Sequence, residues 1–357
     1  MLKRVWFSTV TTAITFCLLA LFAAPHPQAL AAEAAQGSAP PDASAVDEFG
    51  VPLGDTPPPI PPGFESTEAV LRAVTGGKVA VFFPGMPVPL PEGVVELKGV
   101  EYGKGGEKSL RLDLYMPADL EKPAPGLIFI HGGGWEQGNR NDYRYYTVRY
   151  AKRGYVVATI SYRFSNEAPY PAAVQDAKCA VRWMRANAAQ YHVDPDRIAV
   201  IGGSAGAHLS MMVGYSSDVP ELEGDGGHAG VSSRVQVVVD IYGPTDLACP
   251  EAREMGVVKK FLKKSYDEAP GLYEQASPIK HLTKDDPPTL VVHGTIDDLV
   301  PVWQSDVLVD ELKALGIPVV YEKYEGWPHT MDVALDVNRR LQWAMNKFLD
   351  KHLGGQP

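Results

Sequence analysis

The chain has 357 residues, of which 45% are hydrophobic and 21% are charged, so a disordered polymer and a low-complexity repeat are both excluded. Its 33 basic residues against 43 acidic residues leave a formal net charge of −10, which argues against nucleic acid as a partner because phosphate backbones are repelled. The 3 cysteines, Cys17, Cys179 and Cys249, are too few for a disulfide scaffold or a cysteine-rich metal site.

Residues 1–31 have the features of a secretory signal peptide. Lys3 and Arg4 precede an apolar run at residues 5–24, and the sequence Ala-Leu-Ala at residues 29–31 supplies the small residues expected before a cleavage site. We therefore expect an exported protein, periplasmic or extracellular. The alternative is an uncleaved membrane anchor, since the apolar run is just long enough to span a bilayer.

Residues 32–91 are expected to form a linker followed by an N-terminal arm. Residues 32–63 are mostly alanine, proline, serine, glycine and acids, a composition that buries little apolar area. Within the arm, residues 66–75 have a short helical pattern and residues 79–83 could form a small strand. The sequence assigns this arm no function.

Residues 92–353 alternate short apolar runs with longer helical patterns, which is typical of an α/β domain whose mostly parallel central sheet is flanked by helices. The predicted strands are residues 110–115, 126–130, 156–161, 198–202, 235–241, 289–293 and 319–324. The predicted helices are residues 143–153, 172–191, 205–215, 302–315 and 331–353. Two inserts, residues 216–233 and 244–286, are expected to shape a ligand site at one edge of this sheet.

The strongest chemical signal is the pentapeptide Gly-Gly-Ser-Ala-Gly at residues 202–206, between a predicted strand and a predicted helix. A nucleophilic serine needs such a sharp strand-to-helix turn, and the small flanking residues permit it. Ser204 is therefore the candidate nucleophile. The alternatives are a glycine-rich turn with an incidental serine, or a phosphate-binding loop, which is disfavoured because no lysine follows the glycines.

A second glycine-rich segment, His-Gly-Gly-Gly-Trp at residues 131–135, follows another predicted strand. Consecutive glycines let backbone N–H groups turn toward a substrate and stabilise the anion formed when a carbonyl is attacked. His131 is expected to brace this loop. Trp135 is a candidate substrate-binding residue, with packing as the alternative.

Two later segments supply a candidate acid and a candidate base. Residues 293–301 contain Asp297 and Asp298 after a predicted strand, where a carboxylate could orient an imidazole. His329 follows the last predicted strand, and an ordinary histidine pKa of about 6.5 suits a general base. The order of nucleophile, acid and base along the chain is the one expected for a serine hydrolase of this architecture.

Together these segments resemble those of α/β-hydrolase superfamily carboxylesterases, in the branch of hormone-sensitive-lipase-like and bacterial feruloyl-esterase-like enzymes, over residues 92–353. The resemblance implies the α/β-hydrolase fold with small cap insertions. It implies Asp297, the fifth residue of HGTIDDLVP, as the acid, with Asp298 as the fallback. It also implies Gly133, Gly134 and the amide of Ala205 as the oxyanion hole.

We therefore expect a serine esterase that cleaves small or polysaccharide-linked acyl esters through an acyl-enzyme, without a metal or other cofactor. Amide or peptide hydrolysis, as in formamidase-like or dipeptidyl-peptidase-like relatives, is the alternative chemistry. A non-catalytic binding protein of the same fold is the alternative from a different class. The oligomeric state stays open.

Three further groups have simpler expected roles. His208 is expected to be a packed helix residue and not a second base. Arg163 and Asp176 are expected to form a buried structural pair. Cys179 and Cys249 could pair in an oxidising compartment, although Cys179 has the pattern of a buried helix residue.

Overall fold

The computed structural model describes residues 46–47, 49–217 and 219–354. The predicted signal peptide at residues 1–31 and the first part of the predicted linker lie outside the described residues. In the described ranges, no helix combines the length and the apolar character needed to cross a bilayer.

A single sheet of eight strands runs through the described domain. The strands are β1 Val94–Gly105, β2 Lys108–Pro117, β3 Ala124–Ile130, β4 Val156–Ile160, β5 Val193–Gly203, β6 Val237–Ile241, β7 Thr289–Gly294 and β8 Val319–Tyr324. Their spatial order is β1-β2-β4-β3-β5-β6-β7-β8. Strands β1, β2 and β4 pair antiparallel, and all pairs from β4 to β8 are parallel. The predicted mostly parallel sheet is confirmed.

Helices cover both faces of this sheet. They are α1 Thr67–Thr75, α2 Arg144–Lys152, α3 Ala172–Ala186, α4 Ala205–Tyr215, α5 Pro250–Glu254, α6 Gly256–Leu262, α7 Pro270–Gln275, α8 Trp303–Ala314 and α9 Leu335–Leu353. One buried apolar cluster joins the sheet to α3, α4 and α8, and a second joins it to α2 and α9. Every residue of β3 and β6 is buried, which explains why these strands are continuous apolar runs.

The structure corrects several sequence predictions. Strand β1 was not predicted, because its residues are mostly half-buried and two register irregularities interrupt any alternation. Helix α3 ends at Ala186 and not at residue 191, since Asn187 caps it by donating from Nδ2 to the Trp183 carbonyl over 2.8 Å. Residues 79–83 form no strand and make only an isolated bridge, Val81 to Ala334.

The segments singled out in the sequence follow the carboxyl ends of neighbouring strands. The glycine-rich loop at 131–135 follows β3, Ser204 follows β5, Asp297 follows β7 and His329 follows β8. The carboxyl ends of parallel strands meet at one edge of a sheet, so the topology gathers these segments there. The short helices α5, α6 and α7 lie in the insert after β6.

Candidate active site

Ser204 occupies a strained turn between β5 and α4. Its backbone has φ 56° and ψ −124°, a conformation that non-glycine residues rarely adopt. The turn depends on small neighbours: a Cβ at Gly206 would lie 1.9 Å from the Ile130 carbonyl oxygen, and a Cβ at Gly202 would lie 2.3 Å from the Gly206 carbonyl carbon. Helix α4 therefore begins directly against β3, with Ser204 immediately before its first residue.

Three distant residues form one hydrogen-bonded line. The Ser204 Oγ lies 2.9 Å from His329 Nε2, and His329 Nδ1 lies 2.6 Å from Asp297 Oδ2. Asp297 is 8% exposed and His329 is 9% exposed. Asp298 is exposed instead, so the structure brings Asp297 into this line and leaves the fallback acid at the surface.

The carboxylate of Asp297 is held in its charged form. Its Oδ1 accepts hydrogen bonds from the Leu299 and Val300 amides, both at 2.9 Å. Burial raises the pKa of Asp297, but the charge of His329 and hydrogen bonds from His293 and His329 more than offset this, so the pKa lies well below its ordinary range. The ionised Asp297 accepts a hydrogen bond from the Nδ1–H of His329. The unprotonated Nε2 of His329 can then accept the proton of the Ser204 hydroxyl.

The glycine-rich loop lies beside the nucleophile. A Cβ at Gly132 would lie 2.9 Å from the Gly203 carbonyl oxygen and 3.4 Å from the Ser204 Cβ. Gly133 and Gly134 have φ of 103° and 61°. Within the described ranges, the N–H groups of Gly133 and Gly134 donate to no protein acceptor. The Ala205 N–H, in the first turn of α4, has no intrahelical acceptor, so these three groups could all meet a substrate oxygen.

His131 braces this loop, as predicted. Its Nδ1 lies 2.9 Å from the Gly132 carbonyl oxygen, and its ring stacks on Tyr162 with 4.5 Å between centroids. The Tyr162 hydroxyl donates to the His131 carbonyl over 3.0 Å. Burial lowers the pKa of His131, which favours the neutral imidazole.

Trp135 is packed between α4 and the insert that follows β6. Its indole is 3% exposed, stacks on Phe261 at 4.4 Å, and donates from Nε1 to His208 Nδ1 over 3.2 Å. His208 Nε2 donates in turn to the Ala276 carbonyl over 2.8 Å, and burial lowers the pKa of His208 to about 4. The structural role of His208 is confirmed. Direct substrate binding by Trp135 stays a prediction.

The structure also tests the expected ion pair and the possible disulfide bond. Arg163 and Asp176 form the predicted pair, with Nη2 to Oδ1 at 2.6 Å and Nε to Oδ1 at 3.0 Å, although only Asp176 is buried and Arg163 is half-buried. Cys179 and Cys249 are both buried free thiols, so the bridge considered from the sequence is not formed. Among the described residues, no group of three histidine, cysteine, aspartate or glutamate side chains is arranged to hold a metal ion.

The sequence did not predict two side chains, His293 and Tyr242, that contact Asp297 and His329. His293 Nε2 lies 3.1 Å from Asp297 Oδ2, and its position at the end of a strand four residues before Asp297 was the available signal. The Tyr242 ring lies 4.6 Å from the His329 ring, between centroids, and its hydroxyl donates to the buried Asp332. No motif points to Tyr242, because it reaches His329 only through the packing of the sheet.

Several known proteins that are similar to this chain are named as esterases. Residues 112–312 match the BD-FAE family. Esterase LipQ of Mycobacterium tuberculosis is 32% identical over 316 residues, which cover 86% of this chain and 73% of LipQ. Esterase LipC of the same organism is 35% identical over 237 residues, covering 64% of this chain and 59% of LipC. The chain thus spans less than two thirds of the length of LipC.

Solved structures agree with these relatives. A truncated form of a carbohydrate esterase from gut microbiota has a TM-score of 0.64 and 29% identity, and the match covers 72% of this chain and 96% of that one. The apo form of Thermogutta terrifontis esterase 2 has a TM-score of 0.65 and 27% identity, with 76% of this chain and 99% of that chain covered. The predicted α/β-hydrolase fold and the predicted class of ester hydrolase are confirmed. The family match and the relatives together show that this chain belongs to the BD-FAE family of α/β-hydrolase esterases.

Proposed function

We propose that Ser204, His329 and Asp297 are the catalytic triad of this esterase and that it works through an acyl-enzyme. The observation that carries the proposal is the continuous line from Asp297 Oδ2 through His329 to Ser204 Oγ, with separations of 2.6 and 2.9 Å. Both distances lie within the reach needed for proton transfer in the resting enzyme.

In this mechanism His329 Nε2 takes the hydroxyl proton as Ser204 Oγ attacks the ester carbonyl carbon. The resulting oxyanion accepts hydrogen bonds from the amides of Gly133, Gly134 and Ala205. When the tetrahedral intermediate collapses, the bond to the alcohol oxygen breaks and His329 returns the proton to that oxygen. Water then attacks the acyl–serine ester by the same steps, releasing the carboxylic acid and restoring Ser204.

For the substrate, we propose small acyl esters, including acyl groups on polysaccharide hydroxyls. Two observations support this narrower statement. The insert after β6 forms only the short helices α5 to α7, of 5, 7 and 6 residues, and not a long apolar lid. One similar solved structure is a carbohydrate esterase.

We also propose that the protein is exported and that residues 32–91 join the export signal to the catalytic domain at residues 92–353. The support is the basic start, apolar run and small residues of the first 31 positions. Detection of a mature N-terminus at residue 32 in an extracellular or periplasmic fraction would test the proposal, whereas retention of residues 1–31 in a membrane fraction would contradict it.

The central test compares wild type with Ser204→Ala, using Ser109→Ala, at a half-buried position near the start of β2, as the control. Wild type should hydrolyse p-nitrophenyl acetate, and Ser204→Ala should lower kcat about 10⁴- to 10⁶-fold. A fluorophosphonate probe should label wild type and Ser109→Ala but not Ser204→Ala. Near-wild-type hydrolysis by folded Ser204→Ala would refute the mechanism.

A panel of ester and amide substrates is needed to identify the substrate class. Acetyl, butyryl and feruloyl esters and acetylated xylan should be cleaved, while a formanilide and an aminoacyl anilide should not. Cleavage of the anilides in preference to the esters would identify the amide hydrolase alternative. Folded protein that neither labels nor turns over any substrate would identify a non-catalytic binder.

A further inference from the structure

The N-terminal arm, defined here as residues 58–83, contacts the loop that carries His329. We call residues 325–335, which run from the end of β8 to the first residue of α9, the histidine loop. Part of the arm belongs to the predicted linker, but its backbone hydrogen-bonds to the folded domain. The arm and the histidine loop are more than 240 residues apart in sequence, so their contact is purely tertiary.

The first contact lies just before His329. The Phe64 N–H donates to the Gly326 carbonyl over 2.8 Å, and the Trp327 indole Nε1 donates to the Pro61 carbonyl over 3.0 Å. The Phe64 and Trp327 rings meet edge to face with 5.5 Å between centroids. The two backbones are so close that a Cβ at Gly63 would lie 1.9 Å from the Glu325 carbonyl oxygen.

The second contact lies just after His329. The Phe82 N–H donates to the Val333 carbonyl over 3.0 Å, and the Leu335 N–H donates to the Ala80 carbonyl over 2.9 Å. These bonds form the antiparallel bridge between Val81 and Ala334. The Phe82 side chain is buried and stacks on Tyr145 of α2 at 4.1 Å, so this contact is anchored in the apolar core.

The histidine loop also contacts the segment just before Asp297. The Gly326 N–H donates to Thr295 Oγ1 over 2.8 Å, and the Ile296 N–H donates to the Trp327 carbonyl over 3.2 Å. The loop that holds His329 is therefore bonded both to the segment that carries Asp297 and to the arm. Between β8 and α9, one short 3-10 helix at Met331–Val333 is the only regular element among the described residues, so the rest of the histidine loop depends on such contacts for a fixed geometry.

We propose that the arm is a positioning element that holds the histidine loop on both sides of His329, with Phe64 of the arm and Trp327 of the loop as the main positioning residues. The inference rests on the proposed function, because it assigns the arm a role in the His329-to-Ser204 contact. Catalysis depends steeply on this geometry: a displacement of about 1 Å caused by a change remote from the chemistry can lower the rate about 10²-fold. Substrate contacts elsewhere are unaffected, so kcat should change and KM should not.

The chain contains a matched pair for the test. Trp327 and Trp343 each donate an indole N–H over 3.0 Å to a backbone carbonyl of the N-terminal segment, Trp327 to Pro61 in the arm and Trp343 to Gly54 before the arm. Only Trp327 lies in the histidine loop, whereas Trp343 lies in α9. Trp327→Phe and Trp343→Phe thus remove the same kind of bond from two places along the N-terminal segment.

In full-length protein we expect Trp327→Phe to lower kcat about 10-fold or more with KM unchanged, and Trp343→Phe to stay within about 2-fold of wild type. Phe64→Ala should behave like Trp327→Phe, and Phe64→Tyr, which keeps the ring, should restore kcat. In proton NMR, the downfield resonance of the His329 Nδ1 proton shared with Asp297 should broaden in Trp327→Phe and Phe64→Ala only. Hydrogen exchange at residues 326–335 should accelerate in the same two variants.

Folded Trp327→Phe and Phe64→Ala that keep wild-type kcat and an unchanged downfield resonance would overturn the inference. An equal loss in Trp343→Phe, or a loss expressed only in KM, would also overturn it. The proposed function has a separate outcome. If wild type fails to hydrolyse esters or to label at Ser204, the triad assignment fails, and the exchange and NMR measurements still report whether the arm holds the loop.

Discussion

His293 and His329 share one carboxylate oxygen: Asp297 Oδ2 lies 3.1 Å from His293 Nε2 and 2.6 Å from His329 Nδ1. His293 Nε2 also lies 2.9 Å from the Val300 carbonyl, and its Nδ1 lies 2.7 Å from Ser305 Oγ. Two acceptors at Nε2 place a proton there, so this N–H donates to Asp297. His293 therefore fixes the carboxylate that orients His329.

His293→Asn should lower kcat with little change in KM. A hydrogen bond to a charged group contributes about 1.5–3 kcal/mol, which corresponds to about a 10- to 100-fold loss if it acts in full on the transition state. Ser305→Ala, which keeps the imidazole, should have a smaller effect. Steady-state kinetics on a p-nitrophenyl ester measure both. Wild-type kcat in folded His293→Asn would show that this histidine only fills space.

The adjacent acids provide a second test. Asp297→Asn places an amide where His329 needs an acceptor and favours the wrong imidazole tautomer, a change expected to lower kcat about 10⁴-fold. Asp298 is exposed, so Asp298→Asn should stay close to wild type. Comparing kcat for the two variants on one substrate checks the assignment. The reverse ranking would move the catalytic acid to Asp298.

Asp240, at the end of β6, should make stability depend on pH. It is fully buried, its Oδ1 accepts from the Gly243 N–H over 2.8 Å, and its Oδ2 has no hydrogen-bond partner in the part of the chain that the structure describes. Burial raises the pKa of Asp240 to about 7 from an ordinary value of 3.8. Between these values the folded state holds a proton that the unfolded state has lost, so ionisation costs stability as pH rises.

The contribution of Asp240 should therefore fall by about 1.4 kcal/mol per pH unit across that window, and level off above about pH 7. Asp240→Asn cannot ionise. The stability of this variant relative to wild type should increase from pH 4 to 7 and be constant from pH 7 to 9, as measured by urea unfolding. A relative stability that does not change with pH would show that Asp240 keeps one protonation state throughout.

Two glycines test the packing under the nucleophile. A Cβ at Gly206 would lie 1.9 Å from the Ile130 carbonyl oxygen, so Gly206→Ala must push α4 away from β3. We expect a loss of about 3 kcal/mol in the free energy of unfolding, together with reduced activity. At Gly256 a Cβ would meet nothing within 4 Å, so Gly256→Ala should be neutral or slightly stabilising. Equal stability of the two variants in urea would contradict the close approach.

Local sequence was sufficient to predict those strands, helices and turns that depend on residues close together in the chain. Residue type and spacing predict strands β3, β5 and β7 and helix α4. The small residues around Ser204 predict the sharp turn there. Strand β1 could not be predicted from local sequence. It lies at the edge of the sheet with most of its residues half-buried, so its sequence carries no clear alternation of apolar and polar residues.

The site was predictable in part for the same reason. Ser204 and His329 stand in turns with recognisable neighbours, whereas Asp297 and Asp298 are adjacent acids that composition cannot separate. Asp297 became the choice from a family resemblance, and the fold shows the physical basis: only its carboxylate turns inward to the Leu299 and Val300 amides.

By itself the sequence indicated seven of the eight strands, the turn at the serine and the three segments that carry the proposed nucleophile, acid and base, because each depends on neighbours a few residues away. Only the tertiary structure decided that His293 contacts Asp297, that Tyr242 contacts His329, and that Trp327 donates a hydrogen bond to Pro61 across 266 positions. Such contacts form when the sheet edge and the arm pack together. Their partners are chosen by burial and distance in the folded chain, which no periodicity of residue types records.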